Sequence, residues 1–331
     1  MSPQSDSLQT QAASLLLKGG RVLNPSTQTD DILDVLVENG LVTAIEKNIS
    51  PERAEQLIEL TPDHWVTPGL VDIHVHFRDP GRPDKETTLT GAQAAIAGGF
   101  TSVCIMPNTT PTLDDLPTLE YVLEVAKQVP IDIYPVPAAT RKISGEQITE
   151  MMGLAARGAV AFTDDGHCIM NAKVMRLALE YSKMLNVPIM QHAEDYNLSG
   201  HGCMNEGPVS TRLGLSGHPN TAESVIIARD IELVRQTGGH VHVCHISTKE
   251  GVALVRQAKA EGLKVTAEVT PHHISLNDTM LEGYDADYKM CPPLRSEDDR
   301  LAMIEGLRDG TIDAIATDHA PHNPDEKSTA L

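Results

Sequence analysis

The stretch VDIHVHFRDPG, from Val71 to Gly81, places two histidines one residue apart at the end of a β-branched run. Residues i and i+2 of a strand point to the same side, so the rings of His74 and His76 can reach one ion. A pair of hydrogen-bonded core histidines is the alternative interpretation. Histidines and carboxylates at the ends of later strands favour a metal site, and the stretch then begins an α/β domain.

Downstream of this stretch, short apolar runs alternate with amphipathic segments whose apolar residues recur at three- and four-residue spacing. Alternating strands and helices form a parallel sheet, and eight strands favour a closed (β/α)8 TIM-type barrel. An open doubly wound sheet is the alternative, but its first loop would normally be glycine-rich, and here it is HVHFRDPG. The predicted strands are LVDIHVH, TSVCIMP, IDIYPVPA, AVAFTDD, VPIMQHAE, HVHVCHIS, KVTAEVT and TIDAIATD.

The first 65 residues follow a different pattern. Residues 1–13 predict a disordered tail. Residues 14–65 contain brief apolar runs broken by Gly, Asn and Pro, which is typical of β hairpins and predicts a small β-sandwich-like domain. Residues 66–331 then form the barrel.

The composition restricts the function classes. The chain has 331 residues, with 46 Asp and Glu against 26 Lys and Arg, a net charge of −20, and no basic cluster for binding nucleic acid. Its five cysteines are scattered without a CxxC pair, which favours a reducing compartment. No apolar run is long enough for a membrane span, and the first residues lack a secretory signal pattern. We therefore expect a cytoplasmic protein, and the net charge itself says little about a small substrate, which meets only local fields.

Polar side chains stand where the predicted strands end. In a barrel the carboxyl ends of the strands form one mouth, and active sites lie there. Histidines and carboxylates gathered at this mouth suit a divalent metal of the zinc type. The residues are His74, His76, Asn108, Asp164, Asp165, His192, His245 and Asp318. Among them Asp318 is the candidate base, because a carboxylate beside a metal-bound water can accept its proton.

Other polar residues near these ends have a structural alternative. Either Asp164 or Asp165 can serve as a turn or a helix cap, which leaves the other free for the metal. His240 and His242 also have i, i+2 spacing, but they lie earlier in their strand, so we expect structural roles for them. The adjacent histidines of TPHH are left outside the metal set.

Seven motifs resemble those of one enzyme family. They are VDIHVHFRDPG, CIMPNT, AFTDDG, QHAED, VCHIST, TAEVTPHH and IATDHAPH. They are similar to the motifs of bacterial class I dihydroorotases, in the amidohydrolase superfamily, from about Leu15 to His322. The resemblance implies an enzyme with one or two zinc ions, two being favoured, that reversibly cyclises N-carbamoyl-L-aspartate to L-dihydroorotate in pyrimidine biosynthesis. It also implies a homo-oligomer, with aspartate transcarbamoylase as a candidate partner.

The resemblance also assigns roles to individual residues. It implies six metal-binding residues: His74, His76 and Asp318 at the first zinc, His192 and His245 at the second, and Asp165 as the bridge. Many relatives bridge with a carboxylated lysine, which the motif AFTDDG lacks. The implied substrate-binding positions are Arg78, Asn108, His322 and Cys291, the last standing where the family usually has an asparagine.

Two other functions compete with this interpretation. The first is a related cyclic amidase, such as a hydantoinase, dihydropyrimidinase or allantoinase. Those enzymes share the metal histidines but generally lack an arginine placed like Arg78. The second is a non-catalytic dihydroorotase-like subunit that serves as a scaffold for aspartate transcarbamoylase. Such homologues tend to lose metal ligands, whereas every ligand position is occupied here.

The resemblance carries one further expectation, at the carboxyl terminus. Relatives continue beyond the position of Leu331, so the chain is expected to be truncated, with eight barrel strands and seven helices. Apolar residues left without the last helix would favour association and lower the stability.

Overall fold

A computed structural model of the chain describes residues 13–328. Contacts divide the chain into two units, Met1–Gly69 and Leu70–Leu331. Apart from Ala13, the tail expected over residues 1–13 lies outside the described residues. Within the described range, none of the helices has the length and apolar character needed to cross a membrane.

The first unit is built on a mixed sheet of five strands. In chain order they are β1 Ser14–Asn24, β2 Thr29–Glu38, β3 Leu41–Glu46, β4 Gln56–Glu59 and β5 Trp65–Val66, with a 3-10 turn at Pro51–Arg53. The order is β3-β2-β1-β4, and β5 also pairs with β1. The β1–β2 and β2–β3 pairs are antiparallel, whereas β4 and β5 both run parallel to β1.

The described strands of this unit pair into one connected sheet, and the sandwich-like arrangement stays a prediction. The pairing centres on β1, whose register with β2 shifts between Leu17 and Gly20. The part of β1 before the shift pairs with β4, and the part after it pairs with β5. A small core of Leu16, Leu36 and Ile49 packs in this unit.

The second unit contains ten strands, and each of the eight predicted runs overlaps one of them. The remaining two, β11 and β12, are short and pair with each other. The strands are β6 Leu70–Val75, β7 Phe100–Ile105, β8 Asp132–Pro135, β9 Phe162–Thr163, β10 Ile189–Gln191, β11 Met204–Asn205, β12 Gly217–His218, β13 Val241–Val243, β14 Val265–Val269 and β15 Ala314–Ile315.

Eight of these strands form two parallel sheets, in the orders β6-β7-β8 and β15-β14-β13-β10-β9. Single parallel bridges join their edges, one between Ala138 and Thr163 and one between Val75 and His319. The backbone N–H of His76 donates to the carbonyl of His319 at 2.8 Å across the second bridge. Since all pairs are parallel, the carboxyl ends of the eight strands lie at the same edge.

Helices follow the strands and confirm the amphipathic segments predicted between them. Side chains cap several of them as the sequence requires: Thr87 accepts from the N–H of Thr90 at the start of α1, and Asp115 from that of Thr118 at the start of α2. The helices are α1 Thr88–Ala97, α2 Leu116–Ala126, α3 Met151–Ala156, α4 Ala172–Leu185, α5 Tyr196–Ser199, α6 Pro208–Leu213, α7 Asn220–Thr237, α8 Lys249–Ala260, α9 Pro271–Ser275, α10 Glu297–Arg308 and α11 Pro324–Lys327, with 3-10 turns at Arg141–Ile143, Asp278–Gly283 and Ala286–Tyr288.

Strand β10 of the second unit is buried on both faces. Ile189 of β10 belongs to a large core that includes residues of α4, α7 and α8, whereas its neighbour Met190 belongs to a separate small cluster with Val136 and Cys244. Burying one such side chain contributes about 1.5–3 kcal/mol. Strand β10 is therefore packed from both sides, which fixes the position of His192 at its carboxyl end.

Candidate metal centre

Two histidines from the end of β6 face a carboxylate that follows β9. His74 Nε2 lies 3.2 Å and His76 Nε2 lies 3.3 Å from Oδ2 of Asp165. Both rings are almost fully buried, and their centroids are 5.3 Å apart. The i, i+2 spacing thus brings both Nε2 atoms to one carboxylate oxygen, as expected for side chains on the same side of a strand.

The other oxygen of Asp165 faces a second pair of histidines. Oδ1 lies 3.2 Å from Nε2 of His245, which follows β13, and 3.6 Å from Nδ1 of His192, which follows β10. Those two nitrogens are 3.1 Å apart. One carboxylate therefore stands between two histidine pairs.

Asp318 completes the cluster from the segment after β15. Its Oδ1 lies 3.0 Å from His76 Nε2 and 3.6 Å from His74 Nε2. The backbone of Asp318 has a φ of 49°, a left-handed conformation that is costly for a residue other than glycine. Asp72 of β6 fixes this turn, because its carboxylate accepts hydrogen bonds from the N–H and the hydroxyl of Thr317.

The cluster fits a metal ion. His74, His76 and Asp165 form one group of potential ligands and Asp165, His192 and His245 form another, with the ligand atoms of each group within 4.8 Å of one another. Nε2 of His74 is buried and makes no hydrogen bond. Such an orphaned nitrogen is costly in a protein interior unless a cation takes its lone pair.

Electrostatics keep the carboxylates of the cluster ionised. Burial alone would raise the pKa of Asp165, but His74 and the other histidines hold that pKa well below its usual range. Burial also opposes the shift at Asp318, whose pKa the charges of His74 and His76 nevertheless lower. Ionised carboxylates are the form that binds a metal.

The ring nitrogens that face away from the cluster are held by other side chains. His74 Nδ1 lies 2.5 Å from Glu268 Oε1, His76 Nδ1 lies 2.7 Å from Asn108 Oδ1, and His192 Nε2 lies 3.0 Å from Glu194 Oε2. Partners of this kind set the tautomer and the orientation of a metal-binding imidazole. Neither glutamate was expected at the site from the sequence, although Glu268 lies in the motif TAEVTPHH and Glu194 in QHAED.

A cavity of about 630 Å³ opens above the cluster. Its wall includes every residue expected at the site from the sequence except His74 and Asp164, which are both buried. The lining residues from that set are His76, Arg78, Asn108, Asp165, His192, His245, Cys291, Asp318 and His322.

Arg78 lines this cavity with a positively charged side chain. Its Nε is buried and has no hydrogen-bond partner among the described residues. Burial lowers the pKa of Arg78, and Asp318 and Asp165 oppose that shift, so the side chain stays charged, as guanidinium groups do in proteins. A charged guanidinium with a buried and unpartnered Nε is suited to an anionic group of a ligand.

Cys291 and His322 occupy the rim of the cavity. Cys291 Sγ lies 3.3 Å from Glu194 Oε2 and 3.9 Å from His192 Nε2, so its thiol contacts the group that holds His192. His322 Nδ1 lies 3.0 Å from Glu326 Oε2, on the exposed side.

The two neighbouring aspartates after β9 differ in their contacts. Asp164 turns away from the cluster and accepts hydrogen bonds from the backbone N–H and the hydroxyl of Thr140. Burial raises the pKa of Asp164 to about 6. The Asp164 carboxylate thus stabilises the loop after β8, and Asp165 is the aspartate that faces the histidine cluster.

The second histidine of TPHH, His273, is buried and hydrogen-bonded to Thr270 and to backbone carbonyls. Its neighbour His272 lines the cavity, and burial lowers its pKa to about 4.

Comparison with known proteins identifies the family. The model of dihydro-orotase-like proteins matches residues 64–251. The dihydroorotase of Geobacter metallireducens is 48% identical over 314 residues, which cover 95% of this chain and 74% of that protein. The chain belongs to the dihydro-orotase-like family. Another relative, the dihydroorotase of Anaeromyxobacter sp., is 48% identical over 316 residues, or 95% of this chain and 73% of its own length.

The fold of this dihydro-orotase-like chain is shared with solved hydantoinases. The L-hydantoinase (dihydropyrimidinase) from Arthrobacter aurescens superposes with a TM-score of 0.80 at 23% identity, covering 95% of this chain and 70% of that one. The D-hydantoinase from Thermus sp. gives a TM-score of 0.73 at 26% identity, with 93% and 69% covered. The mixed α/β fold is therefore that of hydantoinase-like amidohydrolases.

Proposed function

We propose that this chain is a dihydroorotase, a hydrolase of pyrimidine biosynthesis that reversibly interconverts N-carbamoyl-L-aspartate and L-dihydroorotate. Membership of the dihydro-orotase-like family and the 48% identity to dihydroorotases support the reaction. The observation that supports this substrate is the position of Arg78. Its side chain has a buried and unpartnered Nε, and it lines the same cavity as the metal-binding cluster. Dihydroorotate has one carboxylate, which a guanidinium fork binds well.

We also propose that the metal is zinc and that two ions bind. Imidazole nitrogens and carboxylate oxygens are typical zinc ligands. The two oxygens of Asp165, each facing its own histidine pair, support a bridging role and hence two ions. His74, His76 and Asp318 would hold one ion, and His192 and His245 the other. Bound there, such ions supply Lewis acidity, which polarises a carbonyl and makes water acidic near neutral pH.

The residues of the chain would carry the proton transfers. During hydrolysis, water attacks the ring amide carbonyl, and the ionised carboxylate of Asp318 accepts its proton. Asp318 then donates that proton to the ring nitrogen as the C–N bond breaks, which yields N-carbamoyl-L-aspartate. Cyclisation runs through the same steps backwards. Asp318 is suited to this role because its carboxylate borders the cavity, with Oδ1 3.0 Å from His76 Nε2.

Substrate orientation would fall to residues of the cavity wall. Arg78 would bind the carboxylate, assisted by His322 and by Asn108, whose Oδ1 already accepts from His76. Asn108 would thus connect the substrate to a metal-binding ring. Holding the substrate in this way converts the attack of water into a reaction within one complex.

The barrel and the assembly belong to the same proposal. The bridges Ala138–Thr163 and Val75–His319 support closure of the two sheets into one (β/α)8 barrel. We place the enzyme in the cytoplasm, which agrees with its five free cysteines.

Light scattering of the purified protein, with and without aspartate transcarbamoylase, would test the expected homo-oligomer and partner.

Comparing dihydroorotate, hydantoin and allantoin as substrates, alongside elemental analysis of the purified protein, tests the function. We expect zinc and a preference for dihydroorotate. A preference for hydantoin or allantoin would instead favour a related cyclic amidase, for which Arg78 offers no explanation. Metal-free, inactive protein that cannot be restored with Zn²⁺ would favour the scaffold function.

A further inference from the structure

A buried carboxylate on β14 connects a metal-binding histidine to a histidine of the sheet interior. Glu268 has no exposed surface. Its Oε1 lies 2.5 Å from His74 Nδ1, and its Oε2 lies 3.1 Å from His242 Nε2. The backbone N–H of His245 also points at Oε1, at 3.4 Å. Glu268 is not part of the cavity wall, so a direct contact with substrate is not its role.

The hydrogen bonds continue from His242 down the sheet. His242 Nδ1 lies 2.9 Å from the hydroxyl of Thr266, and the same hydroxyl lies 2.9 Å from His240 Nε2. Five side chains are thus linked by hydrogen bonds into one continuous chain within the second unit: His74, Glu268, His242, Thr266 and His240. We refer to it as the Glu268 chain.

Donor and acceptor counting gives the Glu268 chain one consistent arrangement with neutral rings. An ionised carboxylate only accepts, so His74 Nδ1 and His242 Nε2 must both donate to Glu268. Nδ1 of a neutral His242 then accepts from the hydroxyl of Thr266, whose oxygen accepts from His240. With its proton on Nδ1, His74 presents the lone pair of Nε2 to the cluster, and Nε2 is the atom that lacks a hydrogen bond.

We infer that Glu268, anchored by His242, is a positioning residue that fixes the tautomer and the ring orientation of His74 for the metal. This role rests on the proposed function, because it requires that His74 bind an ion. A carboxylate is costly to bury, and it is tolerated where several donors satisfy it. Here its donors come from β6 and β13, so one residue ties a metal-binding ring to the framework of the sheet.

Two substitutions of Glu268 distinguish a role in positioning the ring of His74 from a role in packing alone. Glu268→Ala removes both acceptor oxygens, whereas Glu268→Gln keeps one oxygen that can still accept from His74. Loss of such a partner typically weakens metal binding 10- to 100-fold. We expect Glu268→Ala to raise the Kd of one Zn²⁺ ion by about that factor, Glu268→Gln to raise it less, and the other ion to bind almost unchanged.

The measurement uses the metal-free full chain titrated with Zn²⁺ against a chromophoric chelator. A parallel titration with Co²⁺ reports the ligand geometry through its visible absorption, which filling of space alone would not alter. His242→Phe, which removes the anchor but leaves Glu268 in place, should give a smaller increase in the Kd of the same ion.

Asp278→Asn is the matched control. Asp278 is also a buried carboxylate, and it accepts from the side chain of Asn205 away from the metal cluster. The Asp278→Asn substitution should lower the melting temperature at most, and it should leave the Zn²⁺ affinity and the Co²⁺ spectrum unchanged.

Wild-type affinity and an unchanged Co²⁺ spectrum in Glu268→Gln and His242→Phe would overturn the positioning role while leaving the proposed function intact. If Glu268→Ala does not fold, these two variants decide the question. Wild-type protein that binds neither Zn²⁺ nor Co²⁺ would overturn the proposed function, and the positioning role with it.

Discussion

Replacing Arg78 by methionine removes the charge from the cavity while keeping a side chain of similar length. In the structure the Nε of Arg78 is buried without a partner, so the substitution breaks no hydrogen bond of that atom within the described chain. A hydrogen bond to a charged group contributes about 1.5–3 kcal/mol. Since about 1.4 kcal/mol corresponds to a factor of ten, losing one such bond to the substrate lowers kcat/KM about 10- to 150-fold. If the guanidinium makes two hydrogen bonds to the substrate carboxylate, losing both lowers kcat/KM further.

The assay is steady-state kinetics with dihydroorotate, accompanied by elemental analysis of each variant. We expect the metal content to stay at the wild-type value, because a charged guanidinium has no lone pair with which to bind a metal. Arg78→Lys is the control, since it keeps the charge but loses the planar fork, and it should be intermediate. The backbone at this position has a φ of 58°, a strain that methionine and lysine share with arginine, so differences among the three report on the side chain. Unchanged kcat and KM in Arg78→Met would refute the carboxylate-binding role.

Four further outcomes are expected. Asp318→Asn should lower kcat about 10²–10⁴-fold while the metal stays bound through the histidines, and a near-normal kcat would exclude Asp318 as the base. Cys291→Asn should lower KM for dihydroorotate if the thiol weakens substrate binding, and an unchanged KM would contradict this. A strong chelator should abolish turnover and Zn²⁺ should restore it, as activity assays before and after dialysis can check. Asp34→Asn should destabilise the first unit by about 1–3 kcal/mol in urea unfolding, because the carboxylate accepts from Lys18 and from two backbone N–H groups.

The pH dependence of Asp34 follows from its surroundings. Burial alone would raise its pKa, but Lys18 and the two backbone groups lower it below its usual value. A depressed folded-state pKa stabilises the native state above the unfolded pKa, and this stability is lost as the pH falls through the folded value. The difference in unfolding free energy between wild type and Asp34→Asn should therefore shrink in acid.

The sequence predicted the parts of the site that depend on local spacing. The i, i+2 histidines of β6 and the polar residues at the strand ends needed only the alternation of a strand and the polarity of a parallel sheet. Glu268 was missed because its partners lie far along the chain, His74 being 194 residues away. Alternation shows which side of a strand a residue faces, but it does not identify the side chain that it meets.

The same limit applies to the strand pairing of the first unit. Its apolar pattern identified strands, but the pairing depends on a register shift between Leu17 and Gly20 that the pattern does not contain. Gly19 in this shift has a φ of 83°, which glycine adopts readily. Spacing alone likewise left Asp164 and Asp165 as alternatives, and the resemblance singled out Asp165; the contact of Asp164 with Thr140, 24 residues away, is visible only in the fold.

The contact between Asp72 and Thr317 joins residues 245 positions apart in the chain. During synthesis at about 5–20 residues per second, β6 leaves the ribosome roughly 12–50 s before its partner segment exists. Closing so long a loop costs about 5 kcal/mol on a (3/2)RT ln n scale, and this cost is met only when the last strand docks. The two histidine pairs and Asp165 all precede residue 246, so the proposed metal-binding groups are synthesised well before Asp318. We therefore expect the metal to bind ahead of catalytic competence, which arrives only when the segment after β15 docks beside β6.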